Sequence, residues 1–366
     1  MIRVAGRGDD RPLTEPGVGA SPSACRTAPT GDLANGTTGG CATMRPVLAV
    51  LLVTFPFFAL VLCGYVATRG RLLPQAAIQG LNAFVLYFAL PCMLWRFGAT
   101  TPILPNLTAG LVVVYLACAL VMVTFTVAVT RSQRIGWNDA AFGALVASFP
   151  NTGYMGVPLL IALVGNAATA PAIVTILLDL VFTSSLCIAL SRLGDAGEHG
   201  AANAAKSALK GVVVNPLPWA ILLGMGVYTA GIALPQPLLQ TIGLLADAAS
   251  PTALFTIGAV LARSQLASPR STPLVDYVPV ALFKLVVHPL LVLALGASAI
   301  DLGVDLDRQA LVVIALVAAL PSASNVAMLA ERFGADNGRI ARIILVSTAL
   351  AFFTFSAAVT LLVPGR

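Results

Sequence analysis

The sequence predicts an all-α integral membrane protein of about ten transmembrane helices, arranged as two inverted five-helix repeats with crossed, broken fourth and ninth helices. Three observations carry that prediction. Hydrophobic residues make up 58% of the 366-residue chain and charged residues 10%, with a mean hydropathy of +0.92, whereas a soluble domain is roughly one-quarter charged. Two apolar segments of membrane length are interrupted near their middles, at Ser148-Phe149-Pro150-Asn151-Thr152-Gly153 and at Leu320-Pro321-Ser322-Ala323-Ser324-Asn325. Proline and glycine positions in the first half of the chain also recur at fixed offsets in the second.

Residues 1–43 are rich in Gly, Pro, Ser and Thr, carry four Arg against four acids and contain no apolar run, so they are expected to form a disordered tail. Met44, followed at once by Arg45-Pro46 and the first apolar run, is a candidate start of translation. Apolar stretches of about twenty residues then recur to the end, which favours helices over the ten-residue alternation of a barrel. The first repeat, 44–191, has predicted spans at 46–67, 76–96, 107–130, 140–164 and 169–191. A cytoplasmic linker at 192–211 leads to the second repeat, 212–366, with spans at 212–233, 238–262, 277–299, 309–331 and 339–363.

Lys and Arg concentrate in alternate connections: Arg69 and Arg71; Arg131 and Arg134; Arg192, Lys206 and Lys210; Arg263 and Arg270; Arg332, Arg339 and Arg342. The opposite connections carry only Arg96 and Arg308, and the termini Arg45 and Arg366. Positive-inside bias places the first set in the cytoplasm and both termini outside a multi-pass protein of the cytoplasmic (inner) membrane. The net charge of +6 is thereby a topology signal and needs no nucleic-acid partner.

Pro56, Gly64 and Pro91 recur as Pro216, Gly224 and Pro251, each 160 residues on, while Pro74 recurs as Pro235. Pro150, Phe182 and Thr183 recur as Pro321, Phe353 and Thr354, each 171 residues on. An insertion of about eleven residues in the second copy accounts for the change of offset. A repeat of five spans is odd, so its second copy enters the membrane from the opposite side.

Two interrupted helices related in this way meet near the bilayer midplane and expose free half-helix ends. The N–H groups after Pro150 (Gly153, Tyr154) and after Pro321 (Ser324, Asn325) would present partial positive charge to a carboxylate. Carbonyls before the breaks suit a cation or a proton donor, so H+ or Na+ is a candidate coupling ion. Asn151, Thr152, Ser322, Ser324 and Asn325 could cap the half-helices, bind substrate, or do both. Pro158 reads as a simple kink.

Four ionisable groups fall well inside spans, away from their ends: Asp179, Asp247, Lys284 and His288. A charge at a helix centre costs about 2.5 to 3.5 kcal/mol on insertion scales, so such groups normally face the bundle interior. Asp247, one turn before Pro251, is the first candidate for ion coupling, with Lys284 as its neutralising partner or as a balance for substrate charge. Structural ion pairing competes with both roles, and outweighs coupling for Asp179. His288, before Pro289, reads as packing.

No cofactor or metal site is indicated. The six cysteines and two histidines lack ligand spacing. Asp301, Asp305 and Asp307 form the one acidic cluster that could serve an intramembrane lipid-modifying enzyme, and they read more simply as a solvated external loop.

These residues resemble the auxin efflux carrier family, which includes bacterial malonate carriers. The resemblance runs over nearly all of residues 44–366. It rests on Phe88-Ala89-Leu90-Pro91, on Phe149-Pro150-Asn151-Thr152-Gly153-Tyr154-Met155-Gly156-Val157-Pro158, on Asn215-Pro216 with Gly224, on Pro251-Thr252-Ala253-Leu254-Phe255-Thr256-Ile257-Gly258, on Lys284-Leu285 with Pro289, and on Leu320-Pro321-Ser322-Ala323-Ser324-Asn325 before Phe333-Gly334. It implies a crossing-helix transport domain and a scaffold domain, homodimers through the scaffold in many members, and a small organic anion bound at the crossing. The sequence departs from long plant auxin carriers in lacking a large hydrophilic loop between its halves. The function expected is secondary transport of malonate- or malate-like anions, with a sodium-coupled carrier resembling the bile-acid symporters as the alternative within transport.

Overall fold

The computed structural model describes residues 39–192, 209–210, 213–267 and 272–363, and the contacts below lie within the compact unit that begins at Cys41. The described residues are helical, and their only extended pairing is an isolated bridge. Seven helices are long and apolar enough to cross a membrane. They are α1 (Gly39–Arg69), α2 (Ala76–Thr100), α3 (Ala109–Thr130), α6 (Asn166–Ser191), α8 (Gln236–Ala267), α9 (Val278–Asp301) and α12 (Asn337–Leu362).

The other three predicted spans are shorter or divided. Span 140–164 is α4 (Trp137–Ser148) followed by α5 (Thr152–Val164), span 212–233 is α7 (Pro216–Thr229), and span 309–331 is α10 (Arg308–Ala319) followed by α11 (Asn325–Arg332). α1 starts at Gly39, inside the tail expected at 1–43, because Cys41-Ala42-Thr43-Met44 holds no breaker to stop it. The rest of that tail lies outside the described residues, as does the 192–211 linker apart from Arg192 and residues 209–210.

Proline sets the local shape of several helices. π-helical turns lie at Val85–Ala89 in α2, Thr152–Gly156 in α5, Phe283–Val287 in α9 and Asp179–Thr183 in α6. The first three are centred four residues before Pro91, Pro158 and Pro289, where each ring removes an N–H and crowds a carbonyl, so the helix widens by one residue. The kink predicted at Pro158 takes this form. In α6 the Ser184 hydroxyl donates to the Asp179 carbonyl at 2.7 Å, a side-chain donor in place of proline strain.

Two helix pairs meet backbone to backbone. A Cβ on Gly64 of α1 would lie 1.8 Å from the Phe255 carbonyl oxygen of α8, and one on Gly258 of α8 would lie 1.9 Å from that of Val61. The same reciprocity joins α2 to α7: a Cβ on Gly98 would lie 2.5 Å from the Ile221 oxygen, and one on Gly224 would lie 2.2 Å from the Trp95 oxygen. Small residues permit such approach, which maximises dispersion where lipid offers no hydrophobic drive.

Gly258→Ala is expected to lower stability by about 1–3 kcal/mol through overpacking. Gly80→Ala, whose Cβ would meet nothing within 4 Å, is expected to stabilise by about 0.5–1 kcal/mol. Thermal unfolding of the purified variants in detergent measures both.

Candidate functional site at the crossed helix breaks

The breaks are extended backbone. Phe149 (φ −97°, ψ 103°) ends α4, and Leu320 (φ −63°, ψ 156°) ends α10. The two segments pair antiparallel at Pro150 and Ser322. Asn151 N–H donates to the Pro321 carbonyl at 2.9 Å, and Ala323 N–H donates to the Phe149 carbonyl at 2.9 Å. Each break thus supplies a partner for a backbone group that the other would leave orphaned in an apolar interior.

Further groups are satisfied locally. Thr152 N–H turns back to the Pro150 carbonyl at 2.8 Å, while Met155 and Gly156 N–H share the Asn151 carbonyl at 3.2 and 3.0 Å. Ser322 N–H reaches Ser347 Oγ on α12 at 3.3 Å. The N–H groups of Gly153, Tyr154, Ser324 and Asn325, at the starts of α5 and α11, have no acceptor among the described residues. These are the four donors expected from the sequence.

Capping by the nearby side chains is not what the structure shows. Neither Asn151 before α5 nor Ser324 before α11 makes a side-chain cap bond. Ser324 is already helical (φ −71°, ψ −26°) and Asn151 has ψ 53°, whereas a capping side chain needs a β-region backbone to reach the second or third N–H. Asn151 Oδ1, Thr152 Oγ1, Ser322 Oγ and Asn325 Oδ1 are instead buried without a hydrogen-bond partner. Four unmatched side-chain oxygens and four unmatched N–H groups thus gather at the two breaks, a concentration of unsatisfied polar groups that calls for a partner.

Two cavities reach the crossing, and Leu86 and Tyr87 of the π turn in α2 line both. The first, of 270 Å³, is lined by Tyr154 and Ser324, by Gln79, Asn82 and Leu86 of α2, and by Thr256, Ile257 and Arg263 of α8, with Glu331 and Asn337 also on its wall. The second, of 300 Å³, is lined by Asn325, Leu86, Tyr87, Asn215, Pro216 and Arg332. Both are of a size for a small anion.

The ionisable groups do not form the predicted pairs. Asp247 bonds Arg96 of α2 at 2.7 Å, and its side chain is 71% exposed. It is therefore neither a buried charge nor the partner of Lys284. The reason is packing: α2 lies against α8 and brings Arg96 within reach first. Lys284 is fully buried, and its Nζ donates to the Ala318 carbonyl at 2.6 Å and lies 3.1 Å from His288 Nδ1. Asp179, also fully buried, accepts from Tyr115 Oη at 2.8 Å and Thr183 Oγ1 at 2.9 Å.

Tyr115 and Arg339 carry roles that the sequence reading missed. Tyr115 was one apolar-span aromatic among several. Arg339, read only as a loop charge, is 2% exposed and ties three elements together. Its Nε donates to the Asp276 carbonyl at 2.7 Å before α9, its guanidinium to the Asp139 carbonyl at 2.8 Å in α4, and its own N–H to Asp336 Oδ1 at 3.0 Å. The sequence offered no direct signal for this, because the guanidinium binds backbone carbonyls of Asp139 and Asp276 and not their carboxylates.

A family model described as "Membrane transport protein" matches residues 49–359. Among relatives, the "Putative malonate transporter" of Rhizobium meliloti is 26% identical over 316 residues, 86% of this chain and 96% of that protein. The "Uncharacterized transporter YfdV" of Escherichia coli is 25% identical over 290 residues, 76% of this chain and 86% of that one. The "Auxin efflux carrier component 7" of Arabidopsis thaliana is 26% identical over 153 residues, 40% of this chain and 24% of the plant protein. The auxin efflux carrier resemblance read from the sequence is borne out.

Tyr115→Phe is expected to cost about 1–3 kcal/mol, since it leaves a buried carboxylate oxygen of Asp179 without its donor. Arg96→Ala, which breaks an exposed pair, is expected to cost less than about 1 kcal/mol. Unfolding midpoints in detergent compare the two.

Proposed function

Because the chain belongs to the membrane transport protein family, we propose that it is a secondary carrier that moves small organic anions, malonate- or malate-like carboxylates, across the cytoplasmic membrane by alternating access. The observation that carries this reading is the set of free N–H groups at Gly153, Tyr154, Ser324 and Asn325. Two half-helix N-termini that start at the same pair of breaks stabilise negative charge without a fixed cation, so release is not blocked by a strong ion pair. The unpartnered hydroxyls of Thr152 and Ser322 lie at the same breaks and can donate to a carboxylate, as can the amide nitrogens of Asn151 and Asn325, whose unpartnered oxygens accept only. The name of the Rhizobium meliloti relative adds support for malonate.

In this reading the three short or divided segments complete ten crossings, in two inverted repeats of five. Support comes from the glycine contacts: Gly64 and Gly224 stand 160 residues apart, as do Gly98 and Gly258, and α1 meets α8 as α7 meets α2. The antiparallel pairing of Pro150 with Ser322 relates the two breaks in the same sense. The crossing domain comprises α3–α6 and α9–α12, and the scaffold α1, α2, α7 and α8. With both termini outside, the 270 Å³ cavity runs from the crossing toward Arg263, Glu331 and Asn337, on the arginine-rich cytoplasmic side, which is an inward-facing arrangement.

Uptake of labelled malonate into proteoliposomes tests the proposal. Asn151→Ala and Asn325→Ala are each expected to cut uptake at least about tenfold, the equivalent of one hydrogen bond to a charged group. Absence of any carboxylate transport by the wild type, or wild-type rates in both variants, would overturn it.

A further inference from the structure

We infer that Lys284 is a tethered cation, a covalently attached substitute for the coupling ion at the crossing, so that the carrier works without sodium. The inference rests on the broken-helix carrier reading above, and the geometry is specific. Where α10 stops at Ala319, its last carbonyls lose their helical donors. In an unbroken helix the Ala318 carbonyl would accept from Ser322 N–H, but that donor is committed to Ser347 Oγ. The Val317 carbonyl is taken by Leu320 N–H at 3.1 Å. The Ala318 carbonyl is taken by the Lys284 ammonium at 2.6 Å.

This is the negative end of a half-helix dipole, facing the crossing, where unwound carbonyls and half-helix C-termini of broken-helix carriers hold Na+ or H+. Here the positive charge is part of the chain. Lys284 has no exposed surface, and His288 Nδ1 lies 3.1 Å from its Nζ. The π turn Phe283–Val287 carries Lys284 into this position. No equivalent stands in the other half: α3, the counterpart of α9 in the proposed repeat, contains neither Lys nor Arg. One fixed charge thus serves one of the two carbonyl ends.

The test uses purified full-length protein. For the wild type, the unfolding midpoint and the rate of malonate uptake are expected to be the same in sodium chloride as in choline chloride. Specific stabilisation by sodium, or uptake that requires it, would overturn the inference. Lys284→Met keeps the length of the side chain without its charge and is expected to lower uptake at least about tenfold; uptake and midpoint equal to wild type would overturn it too. Lys284→Ala leaves space for a free cation, so sodium or methylammonium is expected to raise its midpoint and not that of the wild type. A folded alanine variant that responds to neither would count against the tethered cation. The midpoint measurements need no substrate, so a protein that does not carry malonate would refute the substrate assignment while leaving this test intact.

Discussion

Two backbone hydrogen bonds, Asn151 to Pro321 and Ala323 to Phe149, are the constraint on which the rest of the structure depends. A helix broken inside a bilayer exposes donors and acceptors that hydrocarbon cannot meet, at several kcal/mol apiece. Breaking two helices at one point, with their extended segments antiparallel, lets each break supply the other. The saving is incomplete, and the remainder is the useful part. The donors left over gather at the starts of α5 and α11, while one acceptor left at the end of α10 is met by Lys284. The ends proposed for an anion and for a cation therefore follow from the same geometry.

The other buried polar groups can be read as consequences of this arrangement. Lys284 can sit in an apolar interior because it has a carbonyl to bond, and Asp179 because Tyr115 and Thr183 donate to it. Both lie in π turns, which add a residue to one turn and so redirect the side chains on either side of it. Arg339 acts at a different level. By binding carbonyls of Asp139 and Asp276, it fastens α4, α9 and α12 together at the end where the predicted loops are basic, so these helices are held as one body.

Much of this was legible in the sequence because proline has so few ways to behave. Pro150 and Pro321 marked the breaks, and the four free donors were named from backbone arithmetic alone. Pro91, Pro158 and Pro289 each follow the centre of a π turn by four residues, but the sequence reading took only Pro158 as a kink and anticipated none of the turns. What was not legible depended on partners. The acceptor of Lys284 is a backbone carbonyl, which has no letter in the sequence. Asp247 was assigned to Lys284 because both are charged and in spans, and only the packing of α2 on α8 reveals Arg96 as nearer. Of the alternatives left open for Asn151 and Ser324, capping is excluded by dihedral angles, which residue type biases without fixing.

The reciprocal glycine contacts have a mechanical meaning. Where α1 touches α8 and α2 touches α7, backbone rests on backbone with no side chain between. Such joints have no rotamers to exchange and no soft material to compress, so they behave as rivets. Strain arising at the crossing cannot be absorbed there and must pass to surfaces padded by long side chains. Leu86 and Tyr87 form such a surface: they stand on the widened turn of α2 and are shared by the walls of both cavities. Side chains of this kind can change rotamer where the glycine joints have none to change, so any adjustment between the two cavities falls to them.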